Sequence, residues 1–81
     1  MFHKAKKLEF GENTILIVTF EDGVVKQYDI SALFEKYPQL IALKNRNLFT
    51  SGKLNGPYGI VWNEDLDIEI ETIYEDGRNI K

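Results

Sequence analysis

A chain of 81 residues is sized for one domain, and 43% hydrophobic content with five Phe, four Tyr and one Trp is enough to build a small packed core rather than a disordered coil. The absence of cysteine excludes disulfides, thiolate metal sites and thiol nucleophiles together. The net charge of −3 is unevenly spread: residues 1–53 carry eight Lys/Arg against six Asp/Glu, and residues 54–81 carry two against seven, an acidic C-terminal third that disfavours general nucleic-acid binding.

The first ten residues hold lysines but no apolar leader segment, and an apolar run such as residues 15–18 is far too short to cross a bilayer. The expectation is a soluble cytoplasmic chain with no membrane partner, forming a single domain over residues 1–81 without a linker. Residues 2–10 have the length of a first strand, with Lys4 and Lys6 on one parity and Ala5 on the other. Residues 11–13 read as a turn. Residues 14–20 form a β-branched run whose two faces, Leu16/Val18/Phe20 and Ile15/Ile17/Thr19, are both largely apolar, as in a central strand.

Glu21-Asp22-Gly23 reads as a three-residue hairpin loop with Gly23 in the left-handed region, where glycine meets no Cβ penalty. That loop pairs Phe20 with Val24 and sets Val24, Tyr28 and Ile30 on the face of Leu16, Val18 and Phe20. A two-residue Asp-Gly turn would instead bring Gln27 and Asp29 onto that apolar face, where buried polar groups are costly. A short helix follows from Ala32 to residue 36 or 37, capped by Ser31 or Asp29, and Pro38 opens a second helix over residues 38–44. Asn45-Arg46-Asn47 closes this unit. Leu48 and Phe49 are core candidates, residues 55–59 read as a hairpin turn, and residues 60–63 as a strand carrying Trp62. An extended lead-in from Asp65 and a short helix over residues 71–76 capped by Gly77 complete the fold, with residues 78–81 frayed. The predicted class is α+β, a small antiparallel sheet of four or five strands packed by a short helical pair.

Catalytic machinery is not legible. His3 is the only histidine and reads as an exposed terminal residue; the hydroxyls of Thr14, Thr19, Ser31, Thr50, Ser51 and Thr72 sit in no nucleophile motif and suit caps and turns. Glu64, Asp65, Asp67, Glu69 and Glu71 offer the oxygen ligands that calcium or magnesium requires, but a calcium loop opened at Asp65 would place Ile70 and Asp76 where glycine and glutamate belong. A solvated acidic face is the simpler reading. No phosphate-cradling glycine loop is present, since Gly56-Pro57-Tyr58-Gly59 matches neither nucleotide-binding pattern. No cofactor is therefore expected. Trp62 and Tyr58, with Phe2, Phe10 and Tyr74, read first as packing residues and second as an aromatic platform for bases or a partner protein.

The elements Val18-x-Phe20-x-Asp22-Gly23, Tyr28-Asp29-Ile30, Leu48-Phe49, Gly59-Ile60-Val61-Trp62, Asp65-Leu66-Asp67 and Ile73-Tyr74, in this order, resemble the small bacterial family Domain of Unknown Function 2442 (DUF2442) across nearly the whole chain. The resemblance implies an α+β fold with no established activity and no catalytic residues to carry over. It also implies an antitoxin-like role beside a small protein encoded nearby; some relatives add a helix-turn-helix domain, which this sequence does not carry. The leading expectation is a non-enzymatic protein-interaction module, with Tyr58, Trp62, Glu64, Asp65, Asp67 and Tyr74 as partner-binding candidates. A homodimer through a sheet edge is a second mode of association. The alternatives are a nucleic-acid-associated transcriptional regulator using Lys4, Lys6, Lys7, Lys26 and Arg46, and, ranked last, a small metal-dependent enzyme using the carboxylates.

Overall fold

In the computed structural model, which describes residues 2–80, β2 (Ile15–Phe20) and β3 (Val25–Asp29) pair antiparallel, with Thr19 opposite Val25 and Leu16 opposite Tyr28. The loop between them is the three-residue form: the Phe20 N–H donates to the Val24 carbonyl at 2.8 Å and the Gly23 N–H returns to the Phe20 carbonyl at 3.0 Å. Gly23 adopts φ +91°, a region where an L side chain costs about 1–2 kcal/mol. The register follows as predicted, and Leu16, Val18, Phe20, Tyr28 and Ile30 are all buried. Ile15, Ile17 and Thr19 on the other face are only half-buried, with Lys7 and Val25 opposite Thr19 and Glu9 and Gln27 opposite Ile17.

β1 (Ala5–Phe10) lies on the far side of β2, with a bulge between Ala5 and Lys7 that turns Lys6 and Lys7 outward while Ala5 is buried and Leu8 and Phe10 are half-buried. The strand is shorter than the expected residues 2–10, because residues 2–4 leave the sheet toward the C-terminal helix. The expected fraying of residues 78–81 is corrected for the described part of that tail. β7 (Arg78–Asn79) pairs with β3, Lys26 opposite Asn79 and Gln27 opposite Arg78, and the Ile80 N–H donates to the Val25 carbonyl at 3.0 Å. Lys81 lies outside the described residues. The sheet order is β1-β2-β3-β7.

Asp29 ends β3 and starts the helical layer. Its Oδ1 accepts from the Thr14 hydroxyl at 2.6 Å and the Ser31 N–H at 3.0 Å, so the chain turns at once into a 3-10 helix over Ile30–Leu33. This turn begins two residues before the helix expected from Ala32 and does not extend to residue 36. The second helix has the expected bounds, Pro38–Lys44, with the proline in the first turn, but it too is 3-10; Leu40 and Leu43 face the core while Ile41 is exposed. Asn45-Arg46-Asn47 is no closing loop. The Asn45 side chain accepts from the Leu48 N–H at 3.2 Å and caps a one-turn helix α1 (Arg46–Phe49), which seats Phe49 at 0% exposure.

The remaining strands form a separate antiparallel sheet rather than extending the first. β4 (Lys53–Asn55), β5 (Gly59–Asn63) and β6 (Leu66–Glu69) pair in the order β4-β5-β6 and lead into α2 (Ile70–Asp76). The α+β class stands, with its strands divided four and three. Gly77 follows α2 at φ −73°, so it is not the left-handed cap the sequence suggested. Its role is close approach: a Cβ there would collide with the Ile73 carbonyl oxygen and come within 3.2 Å of Lys26 Cβ. Both sheets and the helices share one core, in which Phe49 meets Phe10 edge-on at 5.1 Å and lies parallel to Trp62 at 6.4 Å. Among the described residues, no helix is long and apolar enough to cross a membrane.

Candidate functional site

α2 presents Glu71 and, one turn later, Tyr74 on neighbouring positions of the same face, and the N-terminal arm binds to both. Glu71 accepts the His3 N–H at 2.8 Å through Oε1 and the His3 ring Nδ1–H at 2.7 Å through Oε2, while the imidazole stacks on the Tyr74 ring with centroids 3.4 Å apart. The expected exposed terminal histidine is thus corrected. His3 is half-buried and fastens the arm to the helix.

Tyr74 joins this clasp to the hairpin. Its ring meets Phe20 edge-on at 4.8 Å, Lys26 Nζ stands 5.2 Å from the ring centroid, and its hydroxyl donates to Asp22 Oδ2 at 2.9 Å. Charges in the cluster are biased accordingly. The His3 backbone N–H and then the His3 ring hold the Glu71 carboxyl below its ordinary value of 4.5. The Val24 N–H and then the Tyr74 hydroxyl hold Asp22 below 3.8. Donating to a carboxylate raises the Tyr74 hydroxyl above 10.0, with burial and the Asp22 and Glu71 charges adding to the effect.

The fastened arm carries Phe2 to Tyr58, where the two rings meet edge-on at 6.3 Å. Together with Glu69 and Glu71 they line a cleft of about 390 Å³. A second cleft, also about 390 Å³, is lined by Tyr37, Tyr58, Gly59, Asp67, Ile68, Glu69 and Thr72. Tyr58 and Glu69 belong to both. Phe2 is 72% exposed and Tyr58 48%, large apolar surface left in water. The ion pairs among the described residues are His3–Glu71 and Lys7–Glu9, and neither includes Asp67 or Glu69. Glu69 stands at the N-cap of α2 yet its side chain accepts nothing from that helix.

The six partner-binding candidates therefore separate in space. Tyr58 and Asp67 share a cleft. Trp62 is a packing residue: its indole N–H donates to the Phe49 carbonyl at 2.8 Å and its ring lies against Gly52. Glu64 and Asp65 are exposed in the β5–β6 turn, where the Asp65 N–H caps onto Asn63 Oδ1 at 2.9 Å, and neither lines these clefts. Tyr74 is committed to the clasp. Of the cations considered for nucleic acid, Lys26 lies over Tyr74, and Arg46 lies 5.6 Å from the Phe49 ring centroid while donating to the Asn13 carbonyl at 2.8 Å. Among the described residues no three His, Asp or Glu side chains converge as a metal site.

Of the residues that shape this face, the sequence reads Phe2 as a packing residue first, reads His3 as an exposed terminal residue, and does not mark Tyr37. No local signal marks them, because their roles come from contacts far along the chain, 68 residues in the case of His3 and Glu71. Glu69 was within reach, since it shares the parity of Asp67 in an extended segment. Comparison with curated proteins and with solved structures finds no match. The model of the family described as a protein of unknown function (DUF2442) matches residues 5–79, and the chain belongs to that family.

Proposed function

We propose that this chain is a non-enzymatic protein-interaction module that binds a basic partner protein through the face around Tyr58, Asp67 and Glu69, as the antitoxin-like half of a two-protein system. One observation carries the reading: two clefts meet at an exposed tyrosine and an exposed glutamate that joins no ion pair among the described residues, with further exposed aromatic rings at Phe2 and Tyr37. Unpaired carboxylates next to exposed rings form a surface on which a cationic partner gains both charge pairing and apolar contact.

The test is co-expression with the product of the adjacent gene and size-exclusion chromatography of the mixture at micromolar concentration. A complex is expected for the native chain, and the double charge reversal D67K/E69K abolishes it. No complex with the native chain, or an equally stable complex with the reversed one, overturns the reading.

A further inference from the structure

We infer that the cleft between Phe2, Tyr58 and Glu69 is a receptor for a single arginine side chain of the partner, and that the N-terminal arm is one wall of it. The inference rests on the reading of this face as a protein-binding surface and adds the chemical group that enters it. Three features point to a guanidinium. Phe2 and Tyr58 meet at an interplanar angle of 66°, so the corner between them offers two ring faces, each with the negative quadrupole that attracts a cation. Glu69 lines the same cleft, takes part in neither ion pair found among the described residues, and accepts no capping hydrogen bond from α2. A planar guanidinium can lie against a ring and direct paired N–H donors at a carboxylate, which a lysine ammonium cannot do in one pose.

Glu71 has a different part. Both of its oxygens already accept from His3, so it adds negative field at the cleft while fixing the arm that carries Phe2. His3 is thus a positioning residue. Without it Tyr58 and Glu69 remain, but the second ring is no longer placed.

The experiment uses the full chain, labelled with ¹⁵N, titrated with a blocked peptide of alternating glycine and arginine to about 5 mM, a range suited to a single-side-chain contact. A matched peptide carries citrulline, which keeps the shape of arginine and lacks its charge. The arginine peptide is expected to shift the amide signals of Phe2, Tyr58 and Glu69, and the citrulline peptide to leave them in place. E69Q should weaken binding about tenfold or more, and H3A should weaken it with Glu69 intact. Thermal melts of both variants confirm that each is folded. Equal shifts with citrulline, unchanged binding by E69Q, or no shifts at these residues overturn the inference. Its failure is distinct from failure of the functional reading: if D67K/E69K abolishes the complex with the neighbouring gene product while the arginine peptide moves nothing, the face stands and the arginine receptor does not.

Discussion

The β1-β2-β3-β7 sheet and the β4-β5-β6 sheet use the same antiparallel pairing to different ends. In the first, the central strand β2 places Leu16, Val18 and Phe20 at 0–1% exposure, and β1, β2 and β3, of five or six residues each, are linked by short turns. In the second, strands of three to five residues bury Ile60 and Leu66 on one side while Asp67 and Glu69 stand in solvent on the other. The first sheet anchors itself through local hairpins. The second is pinned from outside, through Trp62 donating to the Phe49 carbonyl and the Ala5 N–H of β1 donating to the Pro57 carbonyl at 2.8 Å. The difference teaches that the rigid half and the presenting half are distinct parts of one small core, so they should respond differently to perturbation.

Phe49→Ala attacks the seam that both halves share. It empties a fully buried site between Phe10 and Trp62, and a loss of about 3–5 kcal/mol is expected in chemical denaturation. A loss below about 1 kcal/mol would mean the two sheets do not depend on this ring. Gly52→Ala addresses the second half alone, because a Cβ at Gly52 would sit 2.5 Å from Trp62 Nε1. The cost should be about 1–3 kcal/mol, with a changed emission spectrum of the single tryptophan. Unaltered fluorescence would contradict the contact.

Acid gives the smallest effect, and it separates the N-terminal arm from the first sheet. The carboxyls of Glu71 and Asp22 are both depressed by hydrogen bonds, so the stability they contribute is present above their ordinary values of 4.5 and 3.8 and is lost as pH falls through their lower folded values. Tyr74 faces the same cluster, and its hydroxyl is raised above 10.0, far from that range. Lowering the pH from 7 to about 3 should therefore release the amides of residues 2–4 before those of Leu16 and Val18 exchange. Simultaneous loss of both sets would show that the arm is no separate unit. E71Q at neutral pH should reproduce the arm's release.

Much of the first half was legible because its determinants are local. Gly23 selects the loop, the loop selects the register, and a period of two then assigns Leu16, Val18 and Phe20 to the core. Pro38 likewise marks where the second helical segment starts. The division into two sheets was not legible, since residues 53–55 and 66–69 are too short to declare which sheet they join. The candidate site was legible at Tyr58, Asp67 and the acidic parity around them, and at Phe2 only as a second reading of its ring. Phe2 and His3 gain their positions from Glu71 and Tyr74, and neither sequence neighbourhood announces the other.

The clasp also has a consequence for the order of folding. Closing a chain segment costs entropy that grows with its length, and the contacts His3–Glu71 and Tyr74–Asp22 close segments of 68 and 52 residues, whereas the β2–β3 turn closes three. The arginine receptor is then completed only after the longest closures, so a nascent or partly folded chain would hold a formed hairpin and an unfinished receptor. Partner capture through that cleft would be confined to chains that have finished folding.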